Sequence, residues 1–106
     1  MTAFGQVEEE SSSQTFIFFA QCMFDISDQD EMLALEQEIR QHANTDVVRL
    51  DWHTQRAWVT TLWVSDLNED EVRSWFGDYA GSVSCINIGE LGKDTPEMYP
   101  FTNCQN

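Results

Sequence analysis

One segment near the start of the chain is apolar on both faces of the strand that it predicts. Residues 15–24 read Thr-Phe-Ile-Phe-Phe-Ala-Gln-Cys-Met-Phe, and successive side chains of a strand point to opposite faces of the sheet. One face receives Phe16, Phe18, Ala20, Cys22 and Phe24, and the other receives Ile17, Phe19 and Met23. A strand of this kind is expected in the middle of a sheet, with cover on each face.

Five more elements follow this strand. The pattern predicts a helix from Ser27-Asp28 to about Ala43, strands at Val47–Trp52 and Ala57–Val64, a helix capped by Asn68 and stopped at Gly77 or Gly81, and a last strand at Val83–Ile88. The order β-α-β-β-α-β is typical of ferredoxin-like domains of the α+β class. We therefore expect an antiparallel four-stranded sheet with two helices on one face, and we expect the first and third strands side by side and parallel in its centre.

The two ends of the chain differ from this central domain, which spans residues 15–90. Residues 1–14 carry three glutamates followed by three serines and predict a flexible acidic leader. Residues 91–106 contain both prolines and predict an irregular tail that packs on the domain. The helix-free face of the sheet also needs cover, which the tail, the leader or a second copy of the chain would supply.

The charge of the chain limits its partners. It has 19 Asp and Glu against 5 Lys and Arg, a formal net charge of −14, whereas a small soluble domain needs a magnitude of only about 2–8. Direct binding to nucleic acid or to an anionic membrane is disfavoured, because both require basic residues. The expected recipients are cations, basic protein surfaces, or a protein site that normally holds a nucleic acid.

The predicted topology gives this charge a location. If the two central strands are parallel, both helices begin at the same edge of the domain. Eight carboxylates would then form one rim and bind the partner: Asp25, Asp28, Asp30, Glu31, Asp66, Glu69, Asp70 and Glu71. Helix capping and the helix dipole are the alternative explanation for most of them.

No catalytic motif, cofactor motif or metal motif emerges from the other residues. His42 and His53 are interpreted as structural or solvated side chains, and the acidic segment at residues 25–31 lacks the spacing of a calcium loop. Cys22 and Cys85 are interpreted as core residues, and Cys104 as an exposed, reactive thiol. An odd number of cysteines without Cys-x-x-Cys spacing favours a reducing compartment, and neither a signal peptide nor a membrane span is evident.

Two tryptophans are candidate interface anchors. We expect one of Trp58 and Trp63 to lie on the helix-free side of the sheet. An exposed tryptophan there would anchor a partner; otherwise it packs beneath the tail.

Several short stretches resemble the heavy-metal-associated domain. Val47-Val-Arg-Leu-Asp51 and Arg56-Ala-Trp-Val59 are similar to its second and third strands, and Asn68-Glu-Asp-Glu-Val72 to its second helix start. The resemblance implies the ferredoxin-like fold. It does not imply metal transfer, because the loop at residues 24–30 has no Cys-x-x-Cys. In size and charge the chain also looks like the small acidic proteins that phages make to block host nucleases, many of which imitate DNA.

Two functional hypotheses follow. The first is a cytoplasmic, non-enzymatic binding protein that blocks the nucleic-acid-binding surface of a nuclease or helicase type of partner, as a phage-type inhibitor or nucleic-acid mimic. The second is a regulatory or carrier domain that forms a homodimer through the open sheet face and binds a small ligand or cation.

Overall fold

The chain folds as the predicted succession of strands and helices. The computed structural model describes residues 14–101 and 104; the predicted leader lies outside the described residues except for Gln14. In chain order the elements are β1 (Phe18–Met23), α1 (Gln29–Arg40), β2 (Thr45–Asp51), β3 (Arg56–Thr61), α2 (Glu69–Trp75), a 3₁₀ helix (Gly77–Ser82) and β4 (Ser84–Glu90). The α+β, ferredoxin-like βαββαβ fold is confirmed. None of the described helices is long and apolar enough to cross a membrane.

The sheet has the order β2-β3-β1-β4, and all of its neighbouring strands are antiparallel. β1 and β3 are the central pair, as predicted, with Phe19 opposite Thr60 and Met23 opposite Arg56. The prediction that they are parallel is wrong. Helix α1 carries the chain back so that β2 runs in the direction of β1, and the hairpin then reverses β3. A strand that lies between β1 and β2 after that reversal must run against both.

Side-chain caps set where the two helices begin. The Asp28 side chain accepts from Glu31 N at 3.2 Å, and the Asn68 side chain accepts from Glu71 N at 2.9 Å. Each cap satisfies one of the backbone N–H groups that have no partner within the helix. Both predicted starts are therefore confirmed.

Helix α1 ends earlier than the sequence pattern predicts, whereas helix α2 ends where Gly77 was expected to stop it. Helix α1 ends at Arg40, before the predicted Ala43, and the Thr45 hydroxyl donates to Ile39 O at 2.8 Å. That bond satisfies a carbonyl of the last turn and leads the chain into β2. Helix α2 ends at Trp75, and Gly77 follows with φ 55°. Glycine adopts this left-handed conformation without the steric cost that a Cβ imposes.

The two faces of β1 have different neighbours. Ala20 and Cys22 belong to the core cluster that the helices close, together with Ile39 and Phe76, which are fully buried. On the opposite face the Phe19 ring stacks on Trp58 at 5.4 Å. The double-sided apolar pattern of β1 is explained by these two sets of contacts.

The C-terminal tail covers part of the helix-free face. Gln21, in the middle of β1, donates to Glu97 O and accepts from Glu97 N, both at 2.8 Å. Further along, a disulfide joins Cys104 to Cys85 of β4. The amide of Gln21 thus substitutes for a strand partner, because it satisfies both backbone groups of Glu97.

This disulfide corrects the interpretation of the cysteines. Cys104 is not an exposed thiol, and Cys85 is not a simple core residue, because the two are bonded to each other. They lie 19 residues apart in sequence, and Cys104 belongs to a segment without periodicity. Nothing in the sequence pattern pairs it with a particular strand.

Candidate binding surfaces

The eight predicted carboxylates do not form one rim. Met23, the last residue of β1, lies opposite Arg56, the first residue of β3. Helix α1 therefore begins at one end of the sheet, and helix α2 begins at the other. The single rim was predicted from parallel central strands, and their antiparallel arrangement divides it into two groups at opposite ends: Asp25, Asp28, Asp30 and Glu31 at the first, and Asp66, Glu69, Asp70 and Glu71 at the second.

Several residues of the group at the start of α1 form hydrogen bonds with their own helix or with the neighbouring 3₁₀ helix. Asp28 caps the helix, and the Glu31 carboxylate accepts a hydrogen bond from the Tyr79 hydroxyl of the 3₁₀ helix. This bond, and then burial and the neighbouring carboxylates, raise the pKa of Tyr79. The Asp25 backbone N–H donates to the Ser82 hydroxyl at 3.3 Å. The group thus ties α1 to the 3₁₀ helix.

The group at the start of α2 is free of such contacts. Asp66, Glu69 and Asp70 are exposed, and Glu71 is half-buried. Among the residues that the structure describes, none of these four side chains accepts a hydrogen bond or forms an ion pair. Asn68 already supplies the helix cap, so capping does not account for the whole group.

A large apolar side chain stands beside this second group in the chain. Trp63 is 67% exposed and Leu62 is 46% exposed, although the backbone around them is held firmly. Leu62 N donates to Asn44 O at 2.9 Å, and Val64 and Phe16 exchange two backbone hydrogen bonds of 2.7 and 2.9 Å. We call residues 62–71 the acidic-aromatic end. It contains an exposed tryptophan, whose neighbours Leu62 and Val64 are held by backbone hydrogen bonds, and four carboxylates further along the chain.

Trp58, the other predicted anchor, has a different environment. It lies on the helix-free face of β3 with its ring stacked on Phe19, and it is half-buried. Its exposed part forms one wall of a groove of 380 Å³ together with Gln21, Arg49, Asp51, Arg56 and Phe101. None of the sequence-based predictions includes this groove. The signal for it was the alternation of Arg49 and Asp51 with buried residues along β2.

The arginines of the chain have two kinds of environment. Arg40 donates to Val48 O at 3.1 Å and pairs with Glu36 at 3.7 Å, and Arg73 donates to Val83 O at 2.7 Å. These two guanidinium groups therefore bind the protein's own carbonyl oxygens. Arg49 and Arg56, by contrast, line the groove, and within residues 14–101 and 104 neither makes an ion pair or a hydrogen bond through its side chain.

Among the described residues, the remaining reactive side chains are one free thiol and two histidines. Cys22 is the free thiol, and burial raises its pKa to about 12, so it stays neutral near pH 7. His42 and His53 are exposed, the latter in the turn between β2 and β3. No three His, Cys, Asp or Glu side chains in the described part of the chain are grouped to hold a metal ion.

Comparison with known proteins agrees with the architecture. No protein-family model matches the chain, and no curated protein matches it. Among solved structures, the chain is similar to the apo form of the HMA domain of a copper chaperone for superoxide dismutase, with a TM-score of 0.54 and 14% sequence identity. The match covers 92% of this chain and 84% of the other. At this identity the likeness shows the fold alone, and that fold is ferredoxin-like.

Proposed function

We propose that this protein is a non-enzymatic binding protein that docks through its acidic-aromatic end on the basic, nucleic-acid-binding surface of a partner protein. The observation that carries the proposal is the 67% exposure of Trp63, between residues 62 and 64 whose backbone is hydrogen-bonded. It lies close in sequence to four carboxylates that have no partner among the described residues. Docking there would exclude the partner's polynucleotide.

The two components of this surface have different physical roles. A tryptophan buried at the centre of an interface is among the residues that contribute most to binding energy. Carboxylates around it accelerate encounter with a positively charged partner and select against acidic ones. The net charge of −14 extends this attraction over the whole molecule.

The helix dipole does not account for the acidic-aromatic end by itself. Acids in a first helical turn contribute about 0.3–1 kcal/mol each to helix stability, which gives Glu69, Asp70 and Glu71 a structural role. Asp66, however, precedes the Asn68 cap, and an exposed Trp63 adds nothing to the helix. Both fit a surface selected for binding.

A nucleic-acid-handling partner is proposed from charge complementarity. Surfaces that hold a phosphate backbone are rich in Lys and Arg, and those side chains bind carboxylates with the same hydrogen-bond geometry that they use for phosphate. A nuclease or helicase type of target fits this description.

The cytoplasm is the proposed compartment, because nucleic-acid-handling targets of this kind act there. The Cys85–Cys104 disulfide is more typical of an oxidising compartment. Alkylation of thiols in intact cells, followed by fractionation, tests this part. Recovery of a disulfide-bonded chain outside the cytoplasm would overturn the proposed location.

Capture experiments with matched variants test the proposed surface. Tagged chain is incubated with cell lysate at low salt, and the bound proteins are identified before and after elution with high salt. The test variants are Trp63→Ser and the triple reversal Glu69→Lys, Asp70→Lys, Glu71→Lys. The control reverses three exposed acids outside residues 62–71: Asp30→Lys, Glu38→Lys, Asp78→Lys.

The two triple variants change net charge equally, so they separate position from total charge. We expect wild type and the control to retain a nucleic-acid-handling protein that salt or added polynucleotide releases, and both test variants to lose it. Equal loss in the two triple variants would assign the effect to net charge and contradict the proposed surface. A homodimer without such a partner would favour the regulatory-domain hypothesis.

A further inference from the structure

The groove on the helix-free face has an unusual charge for this chain. Although the chain carries 19 acidic residues, the groove holds Arg49, Arg56 and a single carboxylate, Asp51. Two cations and one anion give a local charge of +1. A guanidinium group that has no ion-pair partner is available to bind an anion, because it offers several N–H donors in one plane.

Strand pairing brings the two arginines together. Arg49 lies opposite Trp58, and Asp51 lies opposite Arg56, in the β2–β3 ladder. Arg49 and Arg56 are therefore diagonal neighbours on one face, with their Cα atoms about 7–8 Å apart across the two strands. Side chains of this length converge readily on one anion placed between them.

Asp51 is engaged mainly with the turn: hydrogen bonds from Thr54 are the main cause of its lowered pKa, and the charge of Arg56 also contributes, as the smallest cause. Its carboxylate accepts from Thr54 N at 2.8 Å and from the Thr54 hydroxyl, which directs it toward the turn. Arg56 is held over the Tyr99 ring with its central carbon 4.8 Å from the ring centroid. This cation–π contact restrains the guanidinium without using its N–H donors.

The walls of the groove define the rest of the ligand. Trp58 and Phe101 are aromatic, and the amide of Gln21 is already occupied by Glu97 and Asn87. A polyanion such as a nucleotide or nucleic acid is disfavoured by the net charge of −14. A single carboxylate with an apolar body matches both the +1 charge and the aromatic walls.

We propose that this groove binds a small organic monocarboxylate. Arg49 and Arg56 hold the carboxylate, in the paired geometry that guanidinium groups favour, and the apolar body packs against Trp58 and Phe101. The site lies on a different face from the helix layer, and it is independent of the function proposed for the acidic-aromatic end.

Titration of the full chain with 2-naphthoate tests the site, with 2-naphthamide as the uncharged control. The signals to follow are the side-chain N–H resonances of the four arginines and of Trp58 in ¹H–¹⁵N NMR. We expect saturable shifts at Arg49, Arg56 and Trp58 with naphthoate, and none with naphthamide. Arg49→Gln should weaken the apparent Kd about tenfold or more.

Three outcomes would overturn the proposal. The first is that naphthamide shifts the same resonances as much as naphthoate does. The second is that Lys93→Gln, which removes one charge from an exposed side chain outside the groove lining, weakens the apparent Kd as much as Arg49→Gln does. The third uses the combined variant Glu8→Gln, Glu9→Gln, Glu10→Gln without ligand. If it shifts the Arg49 and Arg56 resonances, the chain's own N-terminal glutamates occupy the groove.

Discussion

Reduction of the Cys85–Cys104 disulfide should lower the stability of the domain substantially. The bond cross-links the tail to β4, and it closes a loop with a sequence separation of 19 residues. In the chain-entropy model, a cross-link of this length removes about 11 cal/mol/K of entropy from the unfolded chain. At 25 °C that corresponds to about 3 kcal/mol of unfolding free energy.

Urea denaturation measures this difference directly. With a urea slope of about 1–2 kcal/mol/M, a loss of 3 kcal/mol moves the midpoint by roughly 1.5–3 M. Wild type is compared with and without reductant, and Cys104→Ser serves as the matched variant. We expect Cys104→Ser to unfold like reduced wild type and to be insensitive to reductant.

Two results would contradict this prediction. If reductant leaves the wild-type midpoint unchanged while mass spectrometry shows both thiols reduced, the bond does not restrain the unfolded chain as calculated. If reductant destabilises Cys104→Ser as much as wild type, the effect does not come from the Cys85–Cys104 bond.

Three further predictions concern the core, the thiol and the turn. Phe76 is fully buried, so Phe76→Ala should lower the free energy of unfolding by about 3–5 kcal/mol. Leu33→Ala, at a side chain that is 45% exposed, should lower it far less. Equal losses of unfolding free energy in denaturation experiments would contradict the assigned core. Burial raises the pKa of Cys22 to about 12, so a thiol reagent at pH 8 should find no reactive thiol in the native, oxidised protein and one after unfolding; rapid native labelling would be inconsistent with this. The Thr54 hydroxyl bond, as the largest cause, lowers the pKa of Asp51, so the pair stabilises the fold above the ordinary carboxyl pKa and this contribution is lost as pH falls through the lowered value. Thr54→Val should raise the pKa of Asp51 in an NMR titration, and an unchanged pKa would rule out that cause.

Much of the fold follows from local sequence signals. The double-sided apolar pattern of β1 predicted a central strand, and the caps at Asp28 and Asn68 predicted both helix starts, because each signal involves residues close in sequence. The direction of β3 relative to β1 was predicted wrongly. The direction follows from the path of the chain, in which a helix crossover and then a hairpin connect β1 to β3. The residue pattern within either strand does not determine it.

The candidate sites show the same division between local and long-range information. Acidic residues near each helix start were evident from sequence, but their separation to opposite ends of the sheet depended on strand direction. The pairing of Cys85 with Cys104, and of Gln21 with Glu97, joins segments without a shared pattern. The groove around Arg49 and Arg56 arises from cross-strand register, which sequence patterning leaves open.

The most direct test of the proposed function is the location of the contact with a captured partner. Amide hydrogen exchange of the chain, measured alone and in the complex, reports this residue by residue. We expect increased protection to be confined to the acidic-aromatic end, residues 62–71, with no change at residues 25–31. Protection at residues 25–31 or on the helix-free face, with 62–71 unaffected, would contradict it.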